Sequence, residues 1–329
     1  MNNRRKLVIA LGASALAAPF GSFAQKQGKV WRIGILWERE QSDYVQQFNA
    51  FKAGMGDLGY AEGREYVIEH RSAQSDIARL PALAADFVAL KVDLIVSAGT
   101  PAAVAARKVS REIPILFAVV GDPVGSGLVA TLSRPGGNVT GFANGVASEL
   151  ITKRLDLLRQ IVPGMRRVGF FYNPDNSANT AGLTQLEADC TKLQITLIRA
   201  PVRVAQEIPA AFDALKRDKA QGLIVSQAST NFASRDSIVE HAAKHRLPAI
   251  YPGRVFAEAG GLLSYASNSG DLWRRTAAYA DKIFKGAKPG DLPVEQPTKF
   301  ELIINGKTAK ALGLKIPNSL LVTADKVIE

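Results

Sequence analysis

Asp93-Leu94-Ile95-Val96-Ser97-Ala98-Gly99-Thr100-Pro101 carries a whole strand, its carboxyl end and the start of a helix. The apolar run Asp93 to Ser97 is short and is closed by turn formers, as a strand buried on both faces should be. Thr100 is a natural N-cap and Pro101 a natural first helical residue, so the Ala-rich stretch Ala102 to Ser110 starts a helix there. Outward from this point the same unit recurs. One series of runs covers Arg32 to Trp37, Tyr66 to His70, Asp93 to Ser97, Ile113 to Val120 and Val139 to Phe142. A second covers Arg167 to Tyr172, Ile195 to Arg199, Gly222 to Ser226, Leu247 to Tyr251 and Leu262 to Tyr265. Matching runs stand roughly 130 residues apart, an internal period that writes one strand-and-helix pattern twice. The expected fold is α/β: two doubly wound parallel-sheet lobes joined by a hinge of several crossings. Such sheets bind ligands at the carboxyl ends of their strands, so the two lobes would share a cleft.

Arg4, Arg5 and Lys6 precede an apolar run from Leu7 to Phe20, and Ser22-Phe23-Ala24 closes it with small residues. Residues 1–24 therefore read as a secretory signal peptide cut after Ala24. The run is shorter than the roughly 18 residues a membrane span needs. No cysteine stands near the cut to carry a lipid, so the expected product is a periplasmic protein that is not lipid-anchored. The paired arginines leave Sec and twin-arginine export both open. Cys190, the only cysteine, falls in a helical run and reads as a buried structural thiol. The remaining chain divides into lobe 1, residues 30–145 plus 266–290, and lobe 2, residues 146–265 plus 291–329.

The net charge of +11 loses three positive charges with the leader. The basic residues are scattered over helices, as in Arg107-Lys108, Lys153-Arg154 and Arg274-Arg275, without aromatics between them. That pattern reads as solvated helix faces and excludes a nucleic-acid surface.

Loops at strand ends carry the binding chemistry. The helix that begins at Thr100 aims free N–H groups and its positive dipole end at the cleft, a place for a carboxylate or phosphate. Its counterpart, Tyr172-Asn173-Pro174-Asp175-Asn176-Ser177-Ala178-Asn179, offers Asn176 or Ser177 as a cap and Asn173 and Asp175 as polar side chains. The loops Val120-Gly121-Asp122-Pro123-Val124 and Ser226-Gln227-Ala228-Ser229-Thr230 add a carboxylate, an amide and hydroxyls. Together they can pair both charges of a buried zwitterion. Trp37, Tyr172, Tyr251 and Tyr265 stand at strand ends, where rings can stack on a ligand.

Catalytic patterns are thin. His70, His241 and His245 are the only histidines; the last two are spaced like a zinc pair but lack a third ligand nearby. No Gly-x-Ser-x-Gly, Gly-x-x-x-x-Gly-Lys or Gly-x-Gly-x-x-Gly opens a helix. The expectation is a binding protein, not an enzyme, with no metal and no cofactor.

Arg79-Leu80-Pro81-Ala82-Leu83-Ala84, Gly121-Asp122-Pro123-Val124 with Gly127-Leu128-Val129, Arg134-Pro135-Gly136-Gly137-Asn138-Val139-Thr140-Gly141 and Gln296-Pro297-Thr298-Lys299-Phe300-Glu301-Leu302-Ile303-Ile304-Asn305 give the chain a resemblance. From about Val30 to Glu329 it resembles the periplasmic substrate-binding proteins of ABC importers, in the group that includes tryptophan and tyrosine binders. The resemblance implies a type I periplasmic-binding fold with three crossings. It also places ligand-facing loops on Trp37 and Glu38, on Gly99, Thr100 and Pro101, on Asp122, on Asn173, Asn176 and Ser177, on Gln227, and on Tyr265, Ser267 and Asn268. Several relatives have small or hydroxyl residues where this chain has Trp37-Glu38-Arg39-Glu40, so the tryptophan or tyrosine assignment does not carry over.

The reading is a receptor, expected as a monomer, that closes on a small zwitterion or carboxylate, an amino acid with an apolar or aromatic side chain, and delivers it to a membrane permease. Thr100 and the following amides would hold the carboxylate, Asp122 or Glu38 the ammonium, and Trp37 with Tyr265 the side chain. The alternative is a periplasmic sensing module for a membrane kinase or chemoreceptor.

Overall fold

The structure is a computed structural model that describes residues 29–145 and 147–329; the expected leader, residues 1–24, lies outside the described residues. The strands are β1 (Trp31–Trp37), β2 (Tyr66–Ser72), β3 (Leu94–Ala98), β4 (Ile115–Val120), β5 (Val139–Ala143), β6 (Arg167–Tyr172), β7 (Thr196–Pro201), β8 (Gly222–Val225), β9 (Ala249–Tyr251), β10 (Leu263–Ser267), β11 (Phe300–Asn305) and β12 (Lys326–Ile328). The helices are α1 (Val45–Asp57), α2 (Leu80–Ala89), α3 (Thr100–Val109), α4 (Ala147–Ile161), α5 (Ser177–Lys192), α6 (Ile208–Arg217), α7 (Ser229–Ala233), α8 (Arg235–Lys244), α9 (Arg254–Glu258), α10 (Ser269–Phe284), α11 (Gly306–Leu312) and α12 (Asn318–Thr323).

The first sheet has five strands in the order β2-β1-β3-β4-β5, and the second has seven in the order β12-β11-β10-β9-β8-β6-β7. Removing β11 and β12 leaves the same winding in both lobes, so the repeat in the sequence is a repeat of topology. Every pair in the first sheet is parallel. Their central residues are apolar and inaccessible, among them Ile33, Ile35, Val96 and Leu116, because helices cover both faces.

Two strands lie outside the repeat. β11 pairs antiparallel to β10 and β12 parallel to β11; neither belongs to the two series of apolar runs, the second of which ends at Tyr265. α10 also breaks the local rule that an element packs beside its neighbour in sequence. It follows β10 of the second sheet, yet Leu272, Trp273, Ala277 and Ala280 enter the first lobe's core with Phe51 and Met55 of α1. The chain then runs beside β5, where Ala143 N–H donates to Glu295 O at 2.8 Å, before it enters β11. Three segments thus cross between the sheets, after β5, after β10 and before β11.

Candidate functional site

The carboxyl ends of β1, β3 and β4 face those of β6 and β8 across a cavity of about 150 Å³. At roughly 10–15 Å³ per water-sized group, that is room for a molecule of about ten to fifteen non-hydrogen atoms. The register of β1 on β3 sets Trp37 beside Ala98, and so places Glu38 beside Gly99. Glu38 is only 2% exposed. Its Oε1 accepts from Ala102 N–H at 3.2 Å in the first turn of α3. Gly99 makes this possible: its φ is +102°, and a Cβ there would lie 2.2 Å from Glu38 Oε1. Burial pushes the Glu38 carboxyl up to about 7 from 4.5, against the opposing pull of Ser229, Ala102 and Arg39.

The lobes are closed on each other. Ser229 Oγ, at the start of α7 in the second lobe, donates to Glu38 Oε2. Gly121 after β4 meets Ala178 in α5 so closely that a Cβ on Gly121 would lie 2.7 Å from the Ala178 Cβ. The Arg39 guanidinium lies 4.5 Å from the Tyr44 ring centroid on its own lobe and 5.2 Å from that of Phe232 on the other, a cation between two rings. At the crossings, Asn144 donates to Gln227 and accepts from Ser267 Oγ, so the buried Asn144 joins two hinge segments to a cleft loop.

The second lobe contributes Arg154 from α4. It is 3% exposed, and its Nε and Nη2 donate to Tyr265 O at 3.0 and 2.9 Å. It has no carboxylate partner among the described residues. Burial lowers its pKa to about 10. This corrects the reading of Lys153-Arg154 as a solvated pair: Lys153 is exposed, but Arg154 lies on the apolar face of α4 with Leu150, Ile151 and Leu158. The helical spacing of those residues was the signal that could have found it.

The cavity is lined by Glu38, Gly99, Thr100, Asn176 and Gln227 of the expected residues. Thr100 Oγ1 accepts from Gly121 N–H at 3.2 Å, and Asn176 caps α5 through Ala178 N–H at 3.0 Å. The other expected residues are not in the lining. Trp37 is fully buried behind it, stacked on Tyr44 at 4.7 Å and on Trp273 at 5.1 Å, so those two rings form the wall and Trp37 supports them. Tyr265 stacks on Phe300 at 5.6 Å and offers its backbone oxygen to Arg154. The Asp122 carboxylate closes its own turn through Gly125 N–H at 2.8 Å. Asn173 likewise bonds Asp175 N–H at 2.9 Å, Pro101 lies in the first turn of α3, Ser177 is exposed, and Asn268 caps α10 and donates to Glu301. Ser267 reaches the site only through Asn144.

The sequence reading did not assign Arg39, Tyr44, Asn144, Arg154, Phe232 or Trp273 to the site. Trp273 could not be placed without knowing that α10 returns to the first lobe. His241 and His245 pack on Phe212 at 5.2 and 5.7 Å and do not line the cavity, and no group of metal-ligating side chains occurs among the described residues. Cys190 is buried, with its thiol pushed up to about 11. No helix among the described residues is long and apolar enough to cross a membrane.

Two like lobes closed over a cavity of apolar walls and a few buried polar groups define a ligand-binding receptor with the type I periplasmic-binding fold. The chain belongs to the family of ABC transporter substrate binding proteins, whose model matches residues 34–328; these are binding proteins, not enzymes. It is similar to a tyrosine-binding protein of Clostridioides difficile (strain R20291), with 28% identity over 86% of this chain and 81% of that one. It is also similar to a structure from Streptococcus pneumonia described as an ABC domain in complex with L-Trp: 25% identity, TM-score 0.84, covering 91% of this chain and all of the other. A ligand-free, open structure of a substrate binding protein with adhesive properties from Clostridium difficile, at 27% identity over 91% and 99% of the chains, gives a TM-score of only 0.66. Similar identity with a lower score fits a difference in lobe angle, in line with the closed contacts here.

Proposed function

We propose that this protein is an exported receptor of an ABC importer that closes on a small zwitterion, an amino acid with an apolar or aromatic side chain, and delivers it to a membrane permease. The observation that carries this reading is that the buried Glu38 carboxyl of the first lobe and the buried Arg154 guanidinium of the second line the same cavity, while the buried Arg39 is held between the Tyr44 and Phe232 rings. Buried charges call for partners, and a zwitterion supplies one of each sign. The cavity also offers rings and aliphatic surface, from Tyr44 and Trp273 of the first lobe and from Leu150, Ile151, Phe170 and Phe232 of the second. Its size suits an amino acid, and the tyrosine-binding and L-Trp-bound relatives support the same class. The leader motif supports export. Closure is a population shift: only the closed form lets a ligand touch both lobes, so ligand favours it.

The test is a thermal-shift screen of protein unfolded and refolded to shed carried-over ligand, against amino acids, carboxylic acids without an amine, and sugars. At a hundredfold excess over Kd, a ligand adds about 2.7 kcal/mol, a shift of roughly 5 °C. Shifts confined to apolar or aromatic amino acids are expected. Shifts by sugars alone would overturn the reading.

A further inference from the structure

The positive end of α3, where the sequence reading seated the ligand's carboxylate, is already occupied by the chain's own Glu38. Ala102 N–H donates to Glu38 Oε1, and the glycine at position 99 is what gives that carboxylate its place. A ligand carboxylate brought to the same helix end would stand beside a like group. Across the cavity, Arg154 has five N–H donors and spends only the two on Tyr265 O. The remaining donors have no acceptor among the described residues. The guanidinium is held by that backbone oxygen in a cavity wall shared with Leu150, Ile151 and Phe170 and is 3% exposed, so it is desolvated and has donors to spare.

We infer that Arg154 is the residue that selects for a carboxylate, and that the ligand lies with its carboxylate toward the second lobe and its ammonium toward Glu38 of the first. This rests on the zwitterion reading and sharpens it. Arginine suits the role because the end of its planar fork, Nη1 and Nη2, can donate to both oxygens of a carboxylate while Nε–H and the other Nη2–H stay with Tyr265 O. The polarity makes Arg154 and Glu38 selective in different ways: one rejects ligands without a carboxylate, the other favours ligands with an amine.

Calorimetry on the purified protein with L-tryptophan, L-tyrosine, L-leucine, indole-3-propionate and tryptamine tests this. Wild type is expected to bind at least one of the amino acids and to bind tryptamine poorly. Arg154→Gln should weaken every carboxylate ligand by 100-fold or more while leaving tryptamine unchanged, so that the preference for L-tryptophan over tryptamine collapses. A merely structural role would weaken all probes alike. Arg154→Lys keeps the charge and loses the fork; a loss of about 10-fold confined to carboxylates is expected, and this variant decides the matter if the glutamine variant does not fold. Carboxylate affinity unchanged in either variant would overturn the inference while leaving the receptor reading intact. Absence of binding by all five probes to wild type would overturn both.

Discussion

Closure of this receptor should depend on pH through Glu38. Its carboxyl titrates near 7 in the closed form, chiefly because burial penalises the charge, against an ordinary value of 4.5. Opening breaks the Ser229 contact and admits water, returning the group toward that ordinary value. The closed form therefore binds the proton more tightly, and below pH 4.5 both forms are protonated and closure carries no penalty. As pH rises from 4.5 to 7 the open form ionises first, and closure loses about 1.4 kcal/mol per pH unit. Above 7 the penalty levels off at about 3–4 kcal/mol, the product of the shift and that increment. Arg39, Ser229 and Ala102 face the carboxylate and favour its charged form, but they do not offset its burial. Small-angle scattering of ligand-free protein should show compaction as pH falls from 8 to 5, and Glu38→Gln should stay compact throughout. An ammonium-bearing ligand should flatten the dependence, because it compensates the ionised carboxylate. Identical pH profiles for wild type and Glu38→Gln would refute the reasoning. His70, a half-buried residue whose Nδ1 accepts from the Trp37 indole N–H at 3.1 Å, would then be the next group to test.

Gly121→Val should hold the cleft open, since even a Cβ at position 121 lies 2.7 Å from the Ala178 Cβ; ligand affinity measured by calorimetry should fall 10-fold or more with ligand-free melting little changed, and full affinity would show that the lobes need not meet there. Gly99→Ala forces an L side chain to φ +102° against the Glu38 carboxylate, a strain of about 1–3 kcal/mol. It should lower the melting temperature by several degrees and remove the pH dependence of closure, and a variant that melts like wild type would contradict this.

The fold was legible because both lobes use strands buried on two faces, and such strands announce themselves as short apolar runs at any position in the chain. Asp93 to Ser97 and Gly222 to Ser226 were readable for that reason alone. β11 was not, because Phe300–Asn305 stands outside the repeat and its antiparallel pairing with β10 depends on where the third crossing delivers it. At the cavity, Gly99, Thr100, Asn176 and Gln227 sit at strand ends or helix starts that the sequence marks, whereas Glu38 came with the family resemblance alone. Residues whose role depends on direction were not legible. Trp37 and Tyr265 stand at strand ends as expected, but alternation along a strand turns Trp37 into the core beneath Trp273 and leaves only the backbone of Tyr265 beside Arg154.

What the sequence alone determined is the repeated strand-and-helix winding and the loops that end its strands, because periodicity and capping are local properties of the chain. The tertiary structure decided which polar groups share one cavity. Glu38 and Arg154 are separated by more than a hundred residues, as are Glu38 and Ser229, and no local pattern couples them. Glu38 is covered where Ser229 of the second lobe meets it, and that burial shifts its carboxyl; Arg154 is buried against Tyr265 O of its own lobe with no carboxylate partner among the described residues.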